Sequence, residues 1–207
     1  LLVLKLGGAY TPFPLYFHEL SSKNPELLYE DDKVLVRTIP LQHRVYTNGF
    51  LFQEKEGERR LNMDAIAQYP EIEVCDYQNI KNGKDITLEN GKTIANTELT
   101  FEPHRPQSYA YCSDTVYLED LATEIRGTRV IYHESTFLKI NEELAAKTMH
   151  STAYQAGLVA KNAQAEALIL GHYSSRYPDV NMFKQEAQEV FKNVLLAEDG
   201  KKFVFEN

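Results

Sequence analysis

The chain is short of basic residues. Its 207 residues carry 22 Lys+Arg against 30 Asp+Glu, a formal net charge of −8. Phosphate contacts normally rest on clustered Lys and Arg. This balance argues against a general nucleic-acid binder, and any RNA role must rest on a local basic or metal-bearing cleft. Cysteine is scarce as well. The two cysteines, Cys75 and Cys112, make no disulfide framework and lack metal-type spacing, so a reducing cytoplasm is the expected location. Long apolar runs are missing. Leu1–Leu4 and Ala167–Leu170 are far shorter than the ~20 residues of a membrane span, so no membrane partner is expected. No basic n-region precedes a long apolar stretch, and a signal peptide is therefore not expected. The chain opens at Leu1 inside an apolar run, and we expect it to be part of a longer protein.

What is there is enough to fold. Hydrophobic residues make up 43% of the chain, and 207 residues can enclose one core with or without an appendage. Lys33-Val-Leu-Val-Arg-Thr-Ile39 alternates polar and apolar residues as a half-buried strand does, and Pro40 is expected to end it. Asn48-Gly49 reads as a turn into a strand at Phe50–Phe52. From residue 106 on, strands are expected near 108–112, 129–132 and 167–170. Helices are expected near 116–126, 152–164 and 181–195, with Ser151 as the N-cap of the second. Lys202–Phe205 reads as a last strand. Such alternation indicates a layered α/β domain.

Residues 54–105 differ in character. Glu54-Lys-Glu-Gly-Glu-Arg-Arg60 is nearly all charge, and the whole stretch holds 7 Lys+Arg against 11 Asp+Glu. A short helix is expected from Asn62 as N-cap to Gln68. Asp85–Leu88 and Lys92–Ile94 flank Glu89-Asn90-Gly91 as a hairpin does. With few large apolar residues the stretch is expected to bury little, and it reads as an insertion protruding from the domain over about 55–104.

Four ionisable clusters share one kind of position. His43, Asp114, His133-Glu134 and His172 each follow an apolar run closely. In layered α/β folds, sites gather beyond the carboxyl ends of strands. Histidine and aspartate together suit zinc. Each residue also has an ordinary reading. His43 and His172 fit loops or turns, Asp114 could cap a helix starting near Val116, and His133-Glu134 could be a satisfied buried pair. His18 and His104 lack such a context and read as structural or surface residues.

Four segments, taken in order, carry a resemblance. They are Ser113-Asp114-Thr115, His133-Glu134-Ser135-Thr136-Phe137, His150-Ser151-Thr152-Ala153 and His172-Tyr173-Ser174-Ser175-Arg176-Tyr177. As an ordered set they resemble ribonuclease Z, the metallo-β-lactamase-fold endonuclease that trims the 3′ end of precursor tRNA. The Lys33–Phe52 segment resembles, more weakly, the family stretch carrying another ligand histidine. The resemblance implies an αββα sandwich, here partial, with the insertion in the position of the family's flexible arm. It implies two Zn2+ ions in the intact protein, Asp114 bridging them and His43 and His172 each completing one ligand set. It implies His150 as proton shuttle with Glu134 as its partner, and it fits Arg176 as a phosphate contact. Precursor tRNA and a second copy of the chain are the implied partners.

The family's His-x-His-x-Asp-His motif occurs nowhere in these residues. The chain is therefore expected to be a C-terminal portion that by itself binds metal weakly and does not catalyse. Two other readings stand beside this one. One is a related metal hydrolase of a small phosphodiester or ester, which the acidic insertion favours. The other is a non-catalytic, dimerising relic, which the missing motif favours.

Overall fold

The computed structural model describes residue 14 and residues 16–205, so the apolar run at Leu1–Leu4 lies outside the described residues. Among the described residues three strands come first: β1 (Leu27–Glu30), β2 (Val34–Gln42) and β3 (Tyr46–Glu54). They pair antiparallel in succession, and β2 and β3 form a nine-residue hairpin ladder from Val34↔Glu54 to Gln42↔Tyr46.

Two expectations fail in this hairpin, each for a physical reason. Pro40 does not end β2. The amide of Thr38 points at the Glu26 carbonyl on the β1 side. Pro40, two residues on, faces the same way but beyond the end of β1, where its missing N–H costs no ladder bond. Nor is Asn48-Gly49 the turn, which lies at residues 43–45 instead. Gly49 sits inside β3 because a Cβ there would lie 2.3 Å from the backbone oxygen of Tyr111 in the next strand. The glycine serves close approach of two backbones, not a turn.

The stretch after β3 forms small elements of its own. They are β4 (Arg60–Leu61), α1 (Met63–Ile66), a 3₁₀ turn at Val74–Asp76, α2 (Tyr77–Lys81), β5 (Ile86–Thr87), β6 (Thr93–Ile94), α3 (Asn96–Leu99) and β7 (Thr100–Phe101). Asn62 caps α1 through its side-chain oxygen, and β5 and β6 form the expected hairpin. The expectation that this stretch buries little is corrected. Ile66, Ile72, Ile80, Leu88, Ile94 and Leu99 close a core separate from that of the main sheet. Spread over 34 residues with no amphipathic period, these six apolar side chains gave no sequence signal of a shared core.

The chain then returns to the main sheet. It forms β8 (Ser108–Cys112), α4 (Leu121–Glu124), β9 (Val130–Glu134), α5 (Glu142–Thr148), α6 (Ala153–Asn162), β10 (Ala167–Gly171), α7 (Asn181–Gln188) and β11 (Val194–Leu196). The sheet order is β1-β2-β3-β8-β9-β10-β11, antiparallel up to β8 and parallel from β8 to β11. Residues alternate between its faces. Ile131, Leu168 and Leu170 point to the helices and pack with Ala153, Ala156, Val159 and Phe183. Val130, Ala167 and Ile169 point the other way, toward Tyr109, Tyr132, Phe203 and Phe205.

Four local differences follow from tertiary contacts. Α helix over 116–126 shrinks to α4, because the Val116 amide is taken by the Gln42 carbonyl at the end of β2. The expected helix over 181–195 stops at Gln188, since Val194–Leu196 pairs in parallel with Leu168–Leu170. Residues 202–205 form no strand; Phe203 and Phe205 instead pack on the sheet face. The N-cap of α6 is Thr152, in a capping box with Gln155, and not Ser151. No helix among the described residues is long and apolar enough to cross a membrane.

The Gly49 contact gives a direct test. Gly49→Ala forces a methyl group against a backbone oxygen that cannot swing away, so the two strands must separate. We expect a loss of about 1–3 kcal/mol, the usual range for overpacking, read as a lower urea midpoint at unchanged m-value. A midpoint equal to wild type would show that the β3–β8 contact is loose.

Candidate active site

The topology brings the four sequence clusters to one end of the sheet. β8, β9 and β10 run parallel, with Cys112 beside His133 and Glu134 beside Gly171. Asp114, Glu134 and His172 therefore emerge from three adjacent carboxyl ends. β3 runs antiparallel to β8, so the β2–β3 turn carrying His43 arrives at the same end.

Glu134 organises what is there. Its side chain is fully buried. Oε1 accepts from the Thr115 amide at 3.0 Å and lies 2.7 Å from His150 Nδ1. Oε2 accepts from the Thr136 amide at 3.1 Å, the Thr136 hydroxyl at 2.7 Å and the Ser151 amide at 3.1 Å. Five donors thus converge on one carboxylate from the ends of β8 and β9 and the start of α6. Ser151, which does not cap α6, uses its hydroxyl to bond the Thr115 carbonyl at 2.8 Å and closes the same junction.

The histidine tautomers follow from these partners. A carboxylate only accepts, so Thr136 Oγ1 gives its single hydrogen to Glu134. It must then accept from His172 Nδ1, 2.7 Å away. This leaves His172 Nε2 facing Asp114 Oδ1 at 3.2 Å. A lone pair and a carboxylate oxygen at that distance repel unless a cation, proton or metal, lies with them. His43 Nδ1 is 2.9 Å from the Met149 carbonyl and must donate to it, freeing Nε2. His150 donates Nδ1–H to Glu134, which likewise leaves Nε2 free. His43 and His150 thus keep Nε2 without a partner among the described residues, while His172 turns its Nε2 to Asp114. Their rings form a row, His43 to His150 with centroids 4.9 Å apart and His150 to His172 5.3 Å apart.

Backbone geometry at the site is unusual. Asp114, Met149 and His172 all have left-handed φ values, between 55° and 61°. Non-glycine residues rarely adopt this conformation, and each costs on the order of 1–3 kcal/mol. Met149 at the end of α5 turns the chain so that the His150 amide bonds the Ala145 carbonyl while its side chain reaches Glu134. Gly171, just before His172, lies so close to the Tyr132 ring that a Cβ would fall 2.2 Å from the phenol oxygen.

Donor atoms of Asp114, Glu134, His150 and His172 lie within 4.8 Å of one another. Among them, Asp114 and His172 are 46% and 42% exposed, open to a ligand, whereas His150 is 12% exposed. Glu134 already has both oxygens filled by the protein. His43 lies beside His150 but outside that group of four. Arg176 sits further out, its guanidinium 4.9 Å from the Phe137 ring centre and its Nε–H on Ser174 Oγ. Phe137 in turn lies 6.2 Å from the His150 ring. His18 and His104 are exposed and stand apart from the cluster.

His133 proves to be a buried framework residue. Its Nδ1 donates to the Glu134 carbonyl at 2.7 Å, and burial pushes its pKa below the ordinary histidine value. Tyr132 is pushed up to about 12, first by burial and then by Tyr111, Glu134 and Asp114, so it stays protonated and is no base. Sequence reasoning missed Thr136 and the Met149 carbonyl, which set the His172 and His43 tautomers. Thr136 had a usable signal, since a threonine two residues after a buried acid can bond it locally. The Met149 carbonyl had none.

No family model matches the chain. Curated relatives do. Ribonuclease Z of Phocaeicola vulgatus is 40% identical over 195 residues, covering 94% of this chain and 63% of that protein. Ribonuclease Z of Cytophaga hutchinsonii is 40% identical over 201 residues, covering 97% and 64%. The chain thus spans a little under two thirds of the length of the relatives it matches. Among solved structures, the metallo-β-lactamase fold protein YhfI of Bacillus subtilis superimposes with a TM-score of 0.55 at 15% identity, covering 87% of this chain and 52% of that one. A long form RNase Z from yeast gives a TM-score of 0.51 at 18% identity, covering 80% and 17%. Along nearly its whole length, this chain of metallo-β-lactamase fold is a homologue of ribonuclease Z.

Proposed function

We propose that the protein carrying this chain is a zinc-dependent endoribonuclease that removes the 3′ trailer from precursor tRNA. The observation that carries the reading is the pairing of a buried, five-bonded Glu134 with His150, directly beside the exposed Asp114–His172 pair. The names of the relatives support the reaction class. The donor set fits a metal: in its neutral form His172 turns the Nε2 lone pair toward Asp114 Oδ1 at 3.2 Å, a pair of donors that a cation beside them would satisfy. Asp114 and His172 would hold it, and His43, outside that pair, would serve a second ion. When bound, such ions would supply polarisation of a phosphate and activation of water.

The chain's own residues supply the rest. Cleavage that leaves a 3′-hydroxyl on the tRNA breaks the bond from phosphorus to that oxygen, and the departing alkoxide needs a proton. His150 can give it from Nε2 when the ring carries a second proton there, while Glu134 holds the Nδ1–H side and balances the imidazolium charge. Thr136 extends this control to His172, so one carboxylate orients the proton donor directly and a ligand through one hydroxyl. Arg176, held on Phe137, offers its guanidinium to a neighbouring phosphate. Residues from about 55 to 104 form the arm, and a cytoplasmic homodimer is the working form.

His150→Ala in the full-length protein is expected to lower turnover of precursor tRNA by about 100- to 10,000-fold, the usual contribution of a general acid. Its metal content should stay near wild type, whereas Asp114→Ala should lose metal. Equal metal loss in both variants would make His150 a ligand or a structural residue.

Deleting the arm at its neck is expected to leave a folded main sheet, because the two cores are separate. It should also weaken tRNA binding. The acidic balance of the arm favours a second reading, a hydrolase of small phosphodiesters. Undiminished tRNA affinity after the deletion, with cleavage of a small diester exceeding that of precursor tRNA, would establish this alternative.

The isolated 207-residue chain is expected to bind zinc at less than one ion per chain and to leave precursor tRNA uncut. Asp114, His43 and His172 are three donors for two metals, and catalytic zinc ordinarily has about three protein ligands each. Two tightly bound ions with cleavage would falsify this expectation.

A further inference from the structure

Beside the cluster lies a cavity of about 590 Å³ that the catalytic reading leaves unused. It opens between the β2–β3 turn and residues 22–23, and His43 forms part of its wall. We propose that this cavity is a subsite for one single-stranded nucleotide adjoining the scissile phosphate. The proposal rests on the functional reading above and adds to it where RNA outside the reacting bond is gripped.

Three features carry it. The first is charge. Lys23 and Arg44 line the cavity together with His43, and among the described residues no aspartate or glutamate does. That is a notable sign reversal in a chain with 30 acidic and 22 basic residues. Both cations are exposed, and neither forms an ion pair with a described residue. The nearby carboxylates of Glu119, Asp120 and Glu124 line the next cleft, beyond Lys23 and Leu118. A phosphate is thus favoured on one side of Leu118 and repelled on the other.

The second feature is a fixed aromatic ring. Tyr46 is 47% exposed, yet its hydroxyl is held at two points. It donates to the Ser22 carbonyl at 2.7 Å and accepts from Asn48 Nδ2 at 2.8 Å. A tyrosine whose polar end is pinned while its ring stays open offers a stacking surface with little entropy left to lose. Leu41 and Leu118 add apolar wall. The cavity size lies within the range of small-ligand sites, about 300–1,000 Å³.

The third feature is position. His43 belongs to the cavity wall and, through its ring 4.9 Å from His150, to the row of imidazoles. A nucleotide on Tyr46 is therefore next to the reacting centre, not on a remote surface. Basic side chains and one stacking ring recognise single-stranded RNA with little base preference. This fits a position that must accept many sequences.

The test uses the full-length protein and precursor tRNAs bearing 4-thiouridine at single positions on either side of the cleavage site. Irradiation is expected to crosslink one of these positions to the peptide containing residues 41–48. Tyr46→Leu is expected to raise KM for precursor tRNA by about 5- to 150-fold, from the ~1–3 kcal/mol of one base stack. Tyr46→Phe keeps the ring and should stay within a few-fold of wild type. The Lys23→Ala/Arg44→Ala double variant should weaken binding and flatten its salt dependence. Crosslinks confined to other peptides, or an unchanged KM in Tyr46→Leu with cleavage intact, overturn the subsite. A Tyr46→Phe defect as large as that of Tyr46→Leu assigns the hydroxyl a structural role and overturns stacking. Wild-type protein that fails to cut precursor tRNA overturns the functional reading instead, which keeps the two failures apart.

Discussion

The arrangement of this molecule depends on one buried carboxylate. Glu134 is fully enclosed, and an ionised group in such a place is tolerable only if hydrogen bonds replace its lost water. Five donors do so, and they come from segments far apart in the chain: Thr115, Thr136, His150 and Ser151. Satisfying Glu134 thus draws together the loop after β8, the loop after β9 and the start of α6. The same requirement settles which hydrogens remain for the histidines. The site is less a set of independent side chains than the outer surface of one saturated hydrogen-bond hub.

Backbone strain is the second half of this design. Left-handed residues stand at Asp114, Met149 and His172, which is to say at or just before members of the cluster at the strand ends. Each turns the chain sharply where a strand or helix ends. The parallel strands give position to within a residue, and the positive φ gives direction. Gly171 against Tyr132 serves the same purpose, bringing His172 forward where a larger residue would hold the strand away.

Much of this was legible in the residues, though unevenly. The strands at β8, β9 and β10 were plain, because short apolar runs with clear ends can hardly be anything else. The convergence of Asp114, Glu134 and His172 followed from their shared place after those strands. Elements whose limits depend on distant partners were not legible. Pro40 lies within a strand only because β1 begins no earlier than Leu27, and Asn48-Gly49 lies within one only because Tyr111 comes so near. The end of α7 depends on pairing between β10 and β11, which no local pattern announces. The role of Thr136 was hidden because it emerges only when every acceptor around it has been counted.

The separate core of the stretch between β3 and β8 has a consequence for the dynamics of the molecule. Ile66, Ile80, Ile94 and Leu99 are buried among themselves, and the Asn96 side chain bonds the Ile80 and Lys84 carbonyls within the same unit. Such a unit can open without exposing the apolar surface beneath the main sheet. Its amides are then free to exchange with solvent on a timescale of their own, leaving the Glu134 hub undisturbed. Sequence drift in that unit, including its surplus of acidic residues, can proceed without burdening the chemistry at the strand ends.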